Sequence, residues 1–233
     1  MRRYHAVTLT TTIVMLAAGA GAACAQDSTR AVAGGGISVD GWTGKIDARE
    51  AERGSTLKDT KLVKEGDALH ATTGPATSYW NPENVATGDY TVRATFREPS
   101  YMALNDHPHP YGLFIGGSEM GTDQQKLLYC MAYGNGSFIV RGFGPEPFQV
   151  NGRRGEMNDA VNKGEAGKPV TQEIAISVKG DRVECAINGT TVGSYPKSDI
   201  VADGRLSSTD GVYGIRLGHN TEAVVTGLKI TKP

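Results

Sequence analysis

Short runs of alternating apolar and polar residues recur along the chain after residue 36. The clearest run is Tyr90–Arg97, in which Tyr90, Val92, Ala94 and Phe96 alternate with Thr and Arg side chains. A period of two is typical of a half-buried β-strand. Because no long stretch carries a convincing helical period, the pattern predicts an all-β protein.

Two further runs are apolar at consecutive positions. They span 111–115 and 127–133, and neither alternates with polar residues. Continuous apolar runs of this length are expected for strands that are covered on both faces. Such strands occur at the centre of a two-layer arrangement of sheets.

Glycine-containing turn sequences separate most of the runs. Asn135-Gly136 connects the run ending at residue 133 to 137–141, and Asn-Gly between apolar runs is a strong hairpin signal. Gly180-Asp181 and Asn188-Gly189 connect three later runs into a meander. Together with the last runs, 211–217 and 223–230, these signals predict one antiparallel two-sheet β-sandwich.

Two segments interrupt the regular spacing of strands. One is 98–110, which is rich in Pro and His, and the other is 142–169, which carries several prolines and charged residues. Long loops in a compact domain are either functional or disordered. These loops are therefore where candidate site residues are sought.

The first 25 residues have the features of a secretory signal peptide. Arg2 and Arg3 form a basic start, 6–20 is mainly apolar, and Ala23-Cys24-Ala25 is a small-residue cleavage site before Gln26. We expect export to the periplasm or the outside of a bacterium, with lipid attachment at Cys24 as a lesser alternative. Residues 26–36 are predicted to be a flexible linker, and 37–233 the folded domain.

Composition excludes several classes of protein. The chain is 39% hydrophobic and 21% charged, which is not the composition of a disordered protein. Its 24 Lys and Arg residues are balanced by 25 Asp and Glu residues, so no electrostatic case for nucleic-acid binding exists. No transmembrane segment is expected in the mature chain, and the oligomeric state stays open.

Two cysteines remain once the predicted signal peptide is removed. Cys130 and Cys185 both lie in apolar runs. In an oxidising compartment a disulfide between them is allowed, and two buried thiols are the alternative. The sequence leaves both open.

Four segments resemble a known family. They read GDYTVRATFRE (88–98), YGLFIGG (111–117), TQEIAISVKGDRVECAINGTTVGSY (171–195), and GVYGIRLG followed by AVVTGLKI (211–230). They resemble the concanavalin A-like and laminin-G-like sandwiches and, more closely, bacterial exported 3-keto-disaccharide hydrolase domains. The resemblance implies a concanavalin-like jelly roll and a carbohydrate-binding or carbohydrate-active domain. It implies hydrolysis of a 3-keto-disaccharide or another glycoside as the activity, but places no catalytic residue.

The alternative to hydrolysis is a non-catalytic module. Retaining glucanases of the same fold use an E-x-D-x-E strand, and this motif does not occur in the chain. A module that binds a glycan or a protein, or has a structural role, therefore stays open beside a glycoside hydrolase.

Histidine and glutamate provide the candidate catalytic and metal-binding groups. His107 and His109 stand two residues apart in a proline-stiffened segment, where they could act as a base or bind a metal. No metal or other cofactor is predicted; calcium stays open as a cofactor, although the sequence does not indicate it. The metal alternative needs a third ligand, for which the candidates are His70, Glu119 and His219. Glu119, at the end of a central strand, is also a candidate acid or base.

Aromatic and arginine side chains provide the candidate ligand contacts. Sugars stack on aromatic rings and bond polar side chains, so an exposed aromatic pair before a turn is typical of a sugar site. Tyr79-Trp80 is predicted to be such a pair. The other candidates for ligand binding are Tyr111, Arg93 and Arg141.

Overall fold

The computed structural model describes Met1, residues 29–105 and residues 107–233. The predicted signal peptide, including Cys24 but not Met1, lies outside the described residues. One short α-helix, α1 (Ala48–Ala51), and two 3₁₀ turns, Leu57–Asp59 and Lys197–Asp199, occur in the described part of the chain. None of its helices is long and apolar enough to cross a membrane.

Strands account for most of the described chain. In order they are β1 (Gly36–Ser38), β2 (Thr43–Ile46), β3 (Thr60–Glu65), β4 (Ala68–Thr73), β5 (Thr77–Ala86), β6 (Tyr90–Glu98), β7 (Pro110–Ser118), β8 (Lys126–Tyr133), β9 (Ser137–Phe143), β10 (Pro147–Gln149), β11 (Glu156–Met157), β12 (Val170–Lys179), β13 (Arg182–Ile187), β14 (Thr190–Pro196), β15 (Gly211–Leu217) and β16 (Glu222–Thr231).

The strands form two sheets of eight. Sheet I has the order β1-β3-β4-β16-β6-β12-β13-β14, and sheet II has the order β10-β9-β8-β7-β15-β5-β2 with β11 paired to β9. The pairing is antiparallel except between β1 and β3. The predicted antiparallel sandwich is confirmed, including the β8–β9 hairpin and the β12–β13–β14 meander.

The main core lies between the two sheets. Inward side chains of β6, including the buried Phe96, meet inward side chains of sheet II. The Phe96 ring stacks on that of Tyr111 with centroids 5.8 Å apart. A disulfide joins Cys130 of β8 to Cys185 of β13 and so connects the sheets across this core.

A second apolar cluster covers the outer face of sheet II. Its buried members are Trp80, Phe114, Leu127, Tyr129, Met131 and Ile139. Along β8 they alternate with side chains of the main core, which explains why 127–133 is apolar at consecutive positions. The prediction that such strands are covered on both faces is confirmed.

The described part of the predicted linker lies against the sandwich. The backbone N–H of Arg30 donates to the side chain of Asn220 at 2.9 Å, and Gly36 begins β1 opposite Lys61. A Cβ on Gly35 would lie far inside contact distance of the Lys58 carbonyl oxygen. Residues 30–36 therefore follow a defined path along sheet I.

Candidate functional site

The outer face of sheet II carries a row of long polar and very small side chains. The register places Lys45 of β2 opposite Ser78 of β5, Ser78 opposite Arg216 of β15, and Arg216 opposite Gly112 of β7. A Cβ on Gly112 would lie 2.1 Å from the Cys130 carbonyl oxygen, so this position accepts only glycine. The Arg216 side chain therefore has no side chain at the Gly112 position beside it.

A pocket of about 380 Å³ lies on this face. This volume is in the range of small-ligand sites. Its described lining comes from the segment before β1, from β2, from α1 and the turn after it, from the loop after β7, from the end of β9 through the start of β10, and from the loop after β15. The residues are Thr29, Lys45, Ile46, Asp47, Ala48, Arg49, Glu50, Arg53, Thr122, Asp123, Gln125, Phe143, Gly144, Pro145, Pro147 and His219. Lining residues come from β2 at one edge and from the end of β9 near the other, so the pocket spans the outer face of sheet II, which is called the concave face below.

Arg216 and Asp47 form a two-pronged ion pair beside the pocket. The Arg216 nitrogens donate to the two Asp47 oxygens at 2.9 and 2.7 Å, and Nη1 also donates to Ser78 Oγ at 3.0 Å. The guanidinium lies over the rings of Tyr129 and Phe143, 4.9 and 4.7 Å from their centroids. Burial acts to lower the Arg216 pKa, but Asp47 and Tyr129 outweigh it and the pKa is raised. Arg216 therefore stays charged and fixes the position of Phe143.

Glu50 is the second notable acid of the pocket. Its Oε2 accepts the backbone N–H of Ala76 at 3.0 Å. Burial raises the pKa of the Glu50 carboxyl above its ordinary value, against the opposing effect of that hydrogen bond. A carboxyl group in this state exchanges protons nearer to neutral pH than an exposed one does.

The loop after β7 folds back over the concave face. Lys45 Nζ donates to Asp123 Oδ1 at 2.9 Å and to the carbonyl oxygen of Thr122. Gly121 passes over the Trp80 ring, since its Cβ position lies 3.7 Å from ring carbon Cζ2. The loop therefore forms one wall of the pocket and covers Trp80.

Three histidines meet at the end of the sandwich where β7 begins and β15 ends. They are His107, His109 and His219, and their ligand nitrogens all lie within 4.8 Å of one another. The centroid of the His109 ring lies 4.4 Å from that of the His107 ring and 4.0 Å from that of the His219 ring. Among the third ligands considered from the sequence, His219 is thus the one that joins the pair, and it also lines the pocket.

Glu119 and His70 lie apart from this cluster. Glu119 follows the opposite end of β7, about 30 Å from His109 along an extended strand, and pairs with Lys126 at 3.4 Å. His70 belongs to sheet I and pairs with Glu65 at 3.5 Å. The grouping of Glu119 with the two histidines as catalytic candidates is therefore not supported by their positions.

The expectation that Tyr79-Trp80 is an exposed pair is wrong. Asn81-Pro82 does not begin a turn, because β5 continues to Ala86. Tyr79 points into the core and is 0% exposed, whereas Trp80 lies on the concave face and is 4% exposed beneath the loop after β7. Tyr111, also 0% exposed, stacks in the core and is likewise not placed to meet a ligand.

The two candidate arginines lie on different faces. Arg141 is on the concave face of sheet II, opposite Tyr129, where its Nη2 donates to the Arg153 carbonyl at 2.8 Å. Arg93 is on β6, whose outward side chains face away from the pocket on the far side of sheet I. Of the five ligand-contact candidates, Trp80 and Arg141 are on the concave face.

Sequence reasoning missed the pocket residues Asp47 and Glu50 and the neighbouring Arg216. The available signal was Arg216 itself, a lone charge inside the apolar run GVYGIRL. A buried charge requires a partner, but the sequence does not show that Asp47 provides it.

Comparisons with known proteins identify the fold. No family model and no curated protein matches the chain. A carbohydrate-binding module of Bacillus subtilis is 10% identical, with a TM-score of 0.54 over 84% of this chain and 98% of the other. A Bacillus subtilis protein of unknown function with a galectin-like fold is 12% identical, with a TM-score of 0.56 over 82% and 89%. An endo-β-1,3-glucanase of Pyrococcus furiosus is 14% identical, with a TM-score of 0.54 over 88% and 92%. The chain thus has the fold of the galectin-like and concanavalin-like β-sandwiches.

Proposed function

We propose that this chain is an exported carbohydrate-binding domain whose ligand occupies the pocket on the concave face of sheet II. The observation that carries the proposal is the charge balance of the pocket. Its described lining includes three basic residues, Lys45, Arg49 and Arg53, and three acidic residues, Asp47, Glu50 and Asp123. Such a wall offers donors and acceptors in equal measure, which suits a neutral ligand with many hydroxyl groups.

An aromatic ring complements the polar wall. Phe143 lines the pocket and is held by the Arg216 guanidinium. Sugars present apolar C–H faces that pack on such rings, while their hydroxyl groups bond charged and amide side chains. The same fold occurs in a protein named a carbohydrate-binding module and in one named a glucanase, which supports a sugar as the ligand.

Binding is tested first with a panel of sugars. Thermal unfolding of the purified protein is followed with mono- and oligosaccharides and with 3-keto-glycosides, because a ligand at a hundred times its Kd stabilises by about 2.7 kcal/mol. We expect stabilisation by one class of sugar. If a protein that unfolds cooperatively is stabilised by none of them, a protein-binding or structural role replaces the proposal.

The site is tested with matched arginine variants. Arg49→Ala and Arg53→Ala remove exposed side chains from the pocket, and Arg97→Ala removes an equally exposed arginine from the far face of sheet I. Loss of one charged hydrogen bond weakens binding by about tenfold or more. We expect this loss for at least one of the pocket variants and none for Arg97→Ala. Equal affinity in all three variants would move the site elsewhere.

Glycoside hydrolysis is the second candidate function, with a 3-keto-disaccharide as the substrate suggested by the resemblance. The observation that favours it is the pair of acids in one pocket, Glu50 with its raised pKa and Asp47 beside Arg216. Glycosidases use a pair of carboxyl groups, one of which donates a proton to the leaving group, and a raised pKa suits that role. A sugar that binds is therefore incubated with the protein and analysed for products. Turnover that Glu50→Gln abolishes would favour hydrolysis, and binding without products would favour the non-catalytic module.

A further inference from the structure

Backbone contacts bring the three histidines together. His109 directly precedes β7 and His219 lies two residues after β15, and these strands are neighbours in sheet II. The backbone N–H of Gly218 donates to the Pro110 carbonyl at 2.7 Å, which places the two histidines side by side. Asn105 Nδ2 donates to the Asn220 carbonyl at 2.6 Å and ties the loop carrying His107 to the same turn.

We propose that His107, His109 and His219 form a binding site for one divalent transition-metal ion. Nitrogens bound to one zinc at 2.0–2.1 Å in a tetrahedral arrangement lie about 3.3 Å apart. The three ligand nitrogens already lie within 4.8 Å of one another, so they need to close by no more than about 1.5 Å. His109 is 8% exposed and held between two prolines, whereas His107 is exposed and His219 half-buried. Small rotations of the two more accessible rings complete the site.

The donor set determines the class of metal. Imidazole nitrogens suit Zn²⁺, Co²⁺, Ni²⁺ and Cu²⁺, whereas Ca²⁺ and Mg²⁺ require oxygen ligands. Three protein ligands leave a fourth position for water or an oxygen of a bound molecule. Since His219 lines the pocket, the proposed metal site lies at the pocket's rim. The site does not depend on a sugar being the pocket's ligand.

Cobalt binding is the direct test. The purified protein, without a polyhistidine tag, is freed of metal with EDTA and titrated with Co²⁺, and the visible absorption of the ion is recorded. Four-coordinate Co²⁺ with nitrogen ligands absorbs far more strongly than the hydrated ion. We expect this absorption to saturate at one ion per chain, Zn²⁺ to abolish it in competition, and Ca²⁺ to leave it unchanged.

Histidine variants locate the ion. His107→Ala removes an exposed side chain and is expected to leave the fold intact. We expect it and His219→Ala to weaken metal binding on the order of 100-fold. His70→Ala, which removes a histidine from sheet I, is the matched control and is expected to bind as the unaltered protein does. Circular dichroism confirms that each variant is folded. The proposal is overturned if the unaltered protein gives no enhanced absorption, or if His107→Ala and His219→Ala bind Co²⁺ as tightly as His70→Ala.

Discussion

Reduction of the Cys130–Cys185 bond is expected to destabilise the sandwich substantially. The bond closes a loop of 55 residues. In the chain-entropy description, a cross-link of that span stabilises the folded protein by about 4 kcal/mol at 25 °C, and disulfides typically contribute about 2–4 kcal/mol. In this description the stabilisation comes from restricting the unfolded chain, so contacts in the folded protein do not replace it when the bond opens. We therefore expect the free energy of unfolding to fall by about 2–4 kcal/mol.

Urea unfolding of the oxidised and reduced protein measures this difference. Reduction leaves both sulfurs in place, so the comparison is nearly free of the cavity term that a truncated side chain would add. For a domain of this size each kcal/mol shifts the melting temperature by about 2–4 °C, so thermal unfolding gives a second readout. The Cys130→Ala/Cys185→Ala double variant, which loses the sulfurs as well, is expected to be destabilised at least as much.

Two results would refute this reasoning. A loss below about 1 kcal/mol on reduction would show that the cross-link does not restrict the unfolded chain as the entropy description requires. Two thiols that react stoichiometrically in the unfolded protein, without added reductant, would show that the bond is not formed.

Three further predictions concern single groups. Burial raises the Glu98 pKa to about 7, so the folded protein holds this proton more tightly than the unfolded chain does. The resulting stabilisation is fully present below about pH 4.5 and is lost as pH rises through 7. Glu98→Gln is expected to flatten this decline in the free energy of unfolding and, after allowance for partial exposure, to stabilise the protein at pH 8 by about 1 kcal/mol in urea unfolding. Arg216→Met leaves Asp47 without this ion-pair partner and is expected to lower the free energy of unfolding by about 3 kcal/mol. The control Arg97→Met is expected to change it by less than about 0.5 kcal/mol, and equal effects of the two variants would contradict the importance of the ion pair. Intact mass spectrometry of the exported protein is expected to show a chain starting at Gln26 without lipid, and a lipid-bearing Cys24 would instead support the lipoprotein alternative.

The strands were predictable because their signals are local. Alternation across Tyr90–Arg97 and the Asn-Gly turns each depend on neighbouring residues, and the observed β6, β8–β9 hairpin and β12–β14 meander follow them closely. The prediction that Tyr79-Trp80 is an exposed pair is wrong because it also depends on a local signal. Asn81-Pro82 resembles a turn locally, but pairing with β15 and β2 keeps that segment extended.

The candidate site depends on pairings between distant parts of the chain. The metal alternative for His107 and His109 left three candidates for the third ligand, and only the adjacency of strands β7 and β15 selects His219 among them. Likewise, the contact of Arg216 with Asp47 crosses three adjacent strands of sheet II. No local pattern encodes such contacts, so the pocket could not be located from the residues alone.

The last two strands occupy inner positions in the sandwich. Strand β15 lies between β7 and β5, and β16 lies between β4 and β6. A nascent chain that has been synthesised only as far as Asp210 therefore lacks an inner strand of each sheet, and the strands on either side of these gaps have no partner there. Folding of the sandwich can be completed only after β16 has been synthesised. Such a chain therefore stays open until both inner strands have been made.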